Sequence, residues 1–230
     1  MKTWIDYYDF RASSFTTPEE IGCHYFDNSK ICPEFTELEA IRINELLRPK
    51  SNSTVYDFGC GAGYSSMLLA KYFKSVVGLD GGQTVIKKAS VFNKGIKFIK
   101  DDISKLESLT NNTVEYGLLY GVIYNMGPIE SVRNFSKNLA LKCKKGSRIL
   151  ICKIPNSQFF DTYQKYRENK KKKRKYADDS NYENDLEWLW FSPSEIKNLF
   201  GNDFEVLNVL PNPFIELPLK AWFDTVLVKK

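Results

Sequence analysis

The residues best able to do chemistry lie in one run, Val55-Tyr56-Asp57-Phe58-Gly59-Cys60-Gly61-Ala62-Gly63-Tyr64. Glycine at alternate positions lets a chain turn sharply and come close to a ligand. Cys60 sits inside that turn, where any small side chain suffices. A helix beginning just beyond offers free N–H groups and a positive dipole end to an anionic group. A redox dinucleotide fingerprint is spaced G-x-G-x-x-G or A. Here Tyr64 takes the last place and the third glycine comes one residue early, which speaks against NAD. Asp80 ends a second apolar run, Val76-Val77-Gly78-Leu79-Asp80-Gly81, 21 residues after Gly59. A carboxylate there can accept hydrogen bonds from both hydroxyls of an adenosine ribose. In Phe98-Ile99-Lys100-Asp101-Asp102-Ile103, Asp102 is placed to accept from an adenine amino group and Ile103 to pack on the ring. Asp101 reads as a solvated neighbour.

Such residues need strand ends gathered at one edge of a sheet, and the sequence supplies the strands. Runs over 53–58, 75–79, 96–99, 115–120 and 148–154 are β-branched or apolar, and helical stretches near 65–72, 84–92 and 129–143 separate several of them. Strands alternating with helices predict βαβ units, hence an α/β fold on a parallel sheet with helices on both faces. Phe204–Leu210 and Ala221–Val228 have no helix between them and predict an antiparallel pair at the sheet edge, joined by the loop 211–218. Residues 1–50 read as helical. Thr17-Pro18-Glu19-Glu20, Thr36-Glu37-Leu38-Glu39 and Ser192-Pro193-Ser194-Glu195 carry helix-start signatures. Phe35, Leu38 and Ile41 predict the buried stripe of the second helix. Residues 156–190 predict an inserted helix and loop. Within them Trp188 and Trp190 alternate, with Phe191 next, as in a strand packed on the core.

Composition excludes several classes. The 230 residues are 43% hydrophobic and 27% charged, with 14% aromatics, which is globular. No apolar run is long enough to span a membrane. The residues after Met1 lack the apolar stretch of a secretory signal. Net charge is +5, but Lys170-Lys171-Lys172-Lys173-Arg174-Lys175 supply six positive charges; the rest has 27 basic against 28 acidic residues, or −1. A general nucleic-acid surface is not expected. Five scattered cysteines fit neither a zinc site nor a disulfide framework, so reduced thiols, a cytoplasmic location and no metal are the expectation.

In order, D-F-G-C-G-A-G, V-V-G-L-D, D-D-I-S-K-L and L-K-C-K-K-G-S-R-I-L-I resemble the motifs of class I S-adenosylmethionine-dependent methyltransferases, over roughly residues 53–155. The resemblance implies a Rossmann-like, seven-stranded, mostly parallel sheet whose last strand is antiparallel, and S-adenosylmethionine as cofactor with S-adenosylhomocysteine as product. It implies that Gly59, Gly61 and Gly63 line the methionine and ribose part, with Asp57, Cys60, Asp80, Gly81, Asp102, Ile103 and Tyr120 completing the cofactor set. Leu119-Tyr120-Gly121-Val122-Ile123-Tyr124-Asn125 lacks the [D/N]-P-P-[Y/F/W] of amino-methyltransferases acting on DNA bases or glutamine side chains. Tyr7-Tyr8-Asp9-Phe10-Arg11-Ala12-Ser13-Ser14-Phe15 resembles the opening of many small-molecule methyltransferases, implying a helical lid (residues 1–50) over a core (51–230), with Tyr8 and Arg11 facing the methionine carboxylate. The segments Pro18–Ile21 and Tyr25–Asp27 resemble methyltransferases of sugar and polysaccharide pathways.

A methylsulfonium is already reactive, so orientation and exclusion of water supply much of the rate. A hydroxyl acceptor gains from a base. His24, the only histidine, is the first candidate. Tyr25, Tyr120 and Tyr124 are the alternatives as acceptor-orienting groups. The expected activity is methyl transfer to a hydroxyl or amine of a small molecule such as a sugar, a sugar-linked precursor or a secondary metabolite, by a monomer or homodimer. An RNA-modifying methyltransferase using residues 170–175 and a non-catalytic S-adenosylmethionine-binding protein are the alternatives.

Overall fold

The computed structural model describes residues 3–22, 25–26, 29–30, 33–171, 186–211 and 222–230. Three helices open the chain: α1 (Trp4–Ser14), α2 (Pro18–Ile21) and α3 (Pro33–Leu47), with a two-residue antiparallel pair, β1 (Tyr25–Phe26) and β2 (Ser29–Lys30), before α3. Then come β3 (Thr54–Phe58), α4 (Tyr64–Leu69), β4 (Ser75–Asp80), α5 (Gln83–Phe92), β5 (Lys97–Lys100), β6 (Val114–Tyr120), α6 (Ile129–Lys142) and β7 (Cys143–Pro155). The chain ends with α7 (Phe160–Lys171), α8 (Pro193–Phe200), β8 (Phe204–Pro211) and β9 (Trp222–Lys229).

The sheet order is β5-β4-β3-β6-β7-β9-β8. Pairings from β5 to β7 are parallel, and β9 runs antiparallel to both β7 and β8. Alternation along the strands sends side chains to two cores. Tyr116, Leu118 and Tyr120 of β6 meet Ala40, Ile43 and Leu47 of α3 and Leu68 of α4 on one face. Leu119, Ile149 and Ile151 meet Phe135 of α6 and Ile196 and Phe200 of α8 on the other. All parallel strands therefore end at one edge, above β3, β4 and β6, where a ligand site in an open α/β sheet belongs.

Two of the three helix starts form as read: Thr17 and Ser192 each make a full capping box with the Glu three residues on, and Pro follows directly. The third does not. Helix α3 begins at Pro33, and Thr36 lies inside it, its hydroxyl 3.4 Å from that of Tyr64. The predicted stripe on α3 is also displaced. Leu38 and Ile41 are exposed, and the buried face is Glu39, Ala40, Ile43 and Leu47, because a 3.6-residue turn places those on the sheet side. Trp188 to Phe191 joins no ladder; within this stretch only Phe191 makes an isolated bridge, to Asn156. The lysine run falls at the end of α7 and beyond, its side chains outside the described residues.

Candidate active site

The turn between β3 and α4 is wound by left-handed backbone: φ is +75° at Gly59 and +52° at Gly61. A Cβ on Gly59 would lie 2.6 Å from Val122, so the turn packs directly on the segment after β6. A Cβ on Gly61 would meet nothing within 4 Å. The first position is closed by protein, and the second is open, as a backbone that faces a ligand must be. Beneath the turn, fully buried Asp57 accepts from the hydroxyls of Ser65 (2.7 Å) and Ser66 (2.6 Å) on α4. Its other oxygen has no partner among the described residues. Burial pushes its carboxyl up to about 6, against those two hydroxyls.

Asp80 ends β4 half-buried. One oxygen accepts the Gly61 amide at 3.0 Å and the other the Gly82 amide at 2.9 Å, so the carboxylate is pinned at the lip of the turn. Burial raises this carboxyl too, and the two amides partly offset it. The reading of the next acids is corrected at Asp101. It is buried rather than solvated, because it accepts the amide (3.0 Å) and hydroxyl of Ser108. Asp102 is the more exposed: it accepts the Ser104 amide and hydroxyl at 3.0 and 2.7 Å and lies 3.8 Å from Lys105. Ile103 beside it is half-buried. Cys60 is buried with its thiol pushed well above the ordinary range, which makes it a packing residue.

Helix α1 lies against this edge. Asp9 accepts from the amides of Gln83 (3.1 Å), Thr84 (2.8 Å) and Val85 (3.0 Å), capping α5 from outside its own chain segment. Gly81 makes room for α1: a Cβ there would be 2.6 Å from Ile5. The Tyr8 hydroxyl accepts from Asn125 at 3.3 Å, and the Asn125 side-chain oxygen is buried without a partner among the described residues. Arg11 is placed otherwise than a carboxylate clamp would be. It is buried, donates to the Ile21 carbonyl (3.0 Å), the Glu20 carbonyl and the Tyr7 hydroxyl, and lies 4.5 Å from the Phe15 ring centre. Those contacts cap α2 and fix it on α1.

A second polar group lies past β6 and β7. The buried Tyr120 hydroxyl donates to Glu39 Oε1 of α3. Lys153 of β7 sits 4.1 Å over the Tyr120 ring and 3.6 Å from Glu39 Oε1. Glu39 Oε2 is buried without a hydrogen-bond partner among the described residues. Beside it, Tyr124 packs on Trp188 and Trp222 with ring centres 4.8 and 5.2 Å apart, and Tyr163 joins both tryptophans. His24 and Cys23 lie outside the described residues, as does the side chain of Tyr25.

Residues 49–201 match the family described as "Methyltransferase domain". No curated protein matches the sequence significantly. Among solved structures, a protein of Pyrococcus horikoshii is 18% identical, with TM-score 0.65 over 86% of this chain and 90% of its own. The Haloferax volcanii protein solved in complex with the Trm112 methyltransferase activator is 14% identical, with TM-score 0.64 over 85% and 89%. A Thermotoga maritima protein titled a possible histamine N-methyltransferase is 19% identical, with TM-score 0.57 over 86% and 90%. The sheet order, with its reversed last strand and glycine turn over β3, is thus the Rossmann-like methyltransferase fold. The chain belongs to the methyltransferase domain family, and S-adenosylmethionine is the cofactor that the motifs over residues 53–155 imply.

The residues present fit that cofactor. Gly61 leaves its backbone open, Asp80 offers carboxylate oxygens where a ribose would lie, and Asp57 and Asn125 each keep a buried acceptor oxygen unused. Sequence reasoning passed over Asp9, Glu39, Asn125 and Lys153. Two of them had a signal: Glu39 falls on the buried face of α3, and Lys153 interrupts the apolar run of β7.

Proposed function

We propose that the protein transfers the cofactor's methyl group to a hydroxyl or amine of a small molecule, in the class of a sugar, a sugar-linked precursor or a secondary metabolite. The observation that carries this reading is the covering of the strand-end edge. Helix α1 caps α5 through Asp9, bonds Asn125 through Tyr8, and reaches the far side, where the Trp4 indole N–H donates to the Glu187 carbonyl at 3.3 Å. An edge bridged in this way suits a small acceptor better than an exposed polymer. Two structural neighbours have titles that concern small molecules, echinomycin biosynthesis and histamine methylation.

In this reading residues 1–50 serve as the lid. Bound cofactor supplies an electrophilic methyl group on a sulfonium. Asp80 would hold the ribose, the Gly61 backbone would admit close approach, and Asn125 would offer an acceptor to the amino-acid end. Tyr8 and α1 exclude water, which strengthens every polar contact inside. The test uses S-adenosylmethionine carrying a tritiated methyl, with nucleotide sugars, polyols and amines in one arm and bulk RNA in another. Label in the small-molecule arm supports the reading, and label confined to RNA overturns it.

A further inference from the structure

Glu39, Tyr64, Tyr120 and Lys153 come from four different elements and meet at one place. Tyr64 directly follows the glycine turn, Tyr120 is the last residue of β6, and Lys153 stands near the end of β7. Tyr64 Oη is 3.4 Å from Thr36 Oγ1, and burial pushes its phenol up to about 12, with the Glu39 charge acting the same way. Lys153 reaches the group through a distortion of its strand. Its φ is +60°, the β7–β9 register shifts between Ile151 and Ile154, and its amide donates to Asp224 Oδ1 at 2.7 Å. A bulge of this kind re-aims a side chain. Left-handed backbone at a residue other than glycine persists only where its surroundings enforce it, and such sites concentrate where function needs them. Gly121 lies beside the group: a Cβ there would be 3.4 Å from the Tyr124 hydroxyl and 4.0 Å from the Lys153 chain.

The charges in this cluster already balance. Glu39 faces Lys153, and Asp224 faces Arg42 of the same helix α3. Cys152 is buried beside them with its thiol held well above the ordinary range. Tyr120 is raised likewise by burial and by the Glu39 charge. Among the described residues, Glu39 Oε2 has no hydrogen-bond partner, with only 3% of Glu39 exposed. An incoming ammonium would compete with Lys153 for the same carboxylate. A neutral hydroxyl adds the missing donor and no charge.

We infer that Glu39 is the proton acceptor for a hydroxyl substrate, with Tyr120 and Lys153 fixing its carboxylate and the Tyr124–Trp222 rings walling the acceptor. This rests on the methyl-transfer reading above. In the step, the acceptor oxygen forms its bond to the methyl carbon as the carbon–sulfur bond breaks, and the electron pair of that bond stays on sulfur. The hydroxyl proton passes to Glu39 Oε2 and leaves to water afterwards.

The experiment uses the full chain and tritiated-methyl S-adenosylmethionine. Methyl glucoside and UDP-glucose are the hydroxyl probes, histamine and spermidine the amine probes, and 2-mercaptoethanol the thiol probe. Calorimetry with S-adenosylhomocysteine runs in parallel. The expected result is label on a hydroxyl probe, falling about 100-fold or more in Glu39→Gln, with cofactor affinity within about threefold of wild type. Should Glu39→Gln fold poorly, Glu39→Asp, which keeps the charge but draws it back, should show a partial loss. Label only on amine or thiol probes overturns the inference. So does full activity in Glu39→Gln, or absence of label from protein that binds the cofactor. Failure of wild type to bind S-adenosylhomocysteine instead sinks the methyl-transfer reading itself.

Discussion

Asp57 carries a cost that a purely structural carboxylate would avoid. Its pKa rises from 3.8 to about 6 on folding, so the folded state binds more protons than the unfolded one between those values. Stability must therefore fall as pH rises from about 4 to 6 and level off above, a loss of about 3 kcal/mol from this group. Urea unfolding from pH 4 to 8 should show that decline in wild type and a flatter profile in Asp57→Asn; matching profiles would contradict the assignment. Gly61 and Gly59 separate folding from binding. Gly61→Ala puts a methyl into open space at φ +52°. It should cost about 1–2 kcal/mol of stability but weaken cofactor binding more than about tenfold by blocking close backbone approach. Gly59→Ala drives a methyl into Val122 and should first lower the unfolding midpoint. Equal effects of the two on folding would refute the distinction. The glycine turn after β3 and the place of Asp80 at the end of β4 were legible because those residue types and that spacing are unusual anywhere. Asp101 and Asp102 were not, since which of two adjacent acids is buried depends on where Ser108 comes to lie.

Among the elements, α1 is the one whose position decides the most. Its link to α5 is the Asp9 carboxylate on three amides that α5 cannot satisfy itself, since its N-cap is Gly82 with no side-chain hydrogen bond. Asp9→Ala should cost about 0.5–2 kcal/mol and speed amide exchange at residues 83–85. Unchanged exchange there would show that α1 is held by packing alone. The capping boxes at Thr17 and Ser192 were legible because each is a local contract among four residues. The same signature at Thr36 misled, because Thr36 faces Tyr64 of α4, which only the tertiary structure supplies. Leu38 and Ile41 misled for a related reason: three-residue spacing drifts off a 3.6-residue face, and the nearer stripe through Ala40, Ile43 and Leu47 won.

Across the whole molecule, Arg42 of α3 and Asp224 of β9 tie the first part of the chain to its last strand. Asp224 is fully buried, and Arg42 is 15% exposed. Burial raises the Asp224 carboxyl and Arg42 opposes it. Arg42→Met removes the partner and leaves the acid uncompensated, at a cost of about 3–5 kcal/mol. Its unfolding midpoint should fall steeply at neutral pH and recover toward acid as Asp224 protonates; a loss independent of pH would assign the effect to packing. The order of strands and helices was legible because each repeats one local pattern. The polar group around Glu39 was not, because it is assembled from four elements far apart in sequence. The central claim is that one ligand is held between Gly61 and Asp80. It is tested most directly by calorimetric titration of S-adenosylhomocysteine into wild type and Asp80→Ala, with NADH as control. Wild type should bind, NADH should not, and Asp80→Ala should lose about 100-fold or more, from charge-assisted hydrogen bonds worth about 1.5–3 kcal/mol each. Equal binding by wild type and Asp80→Ala would contradict the site as described.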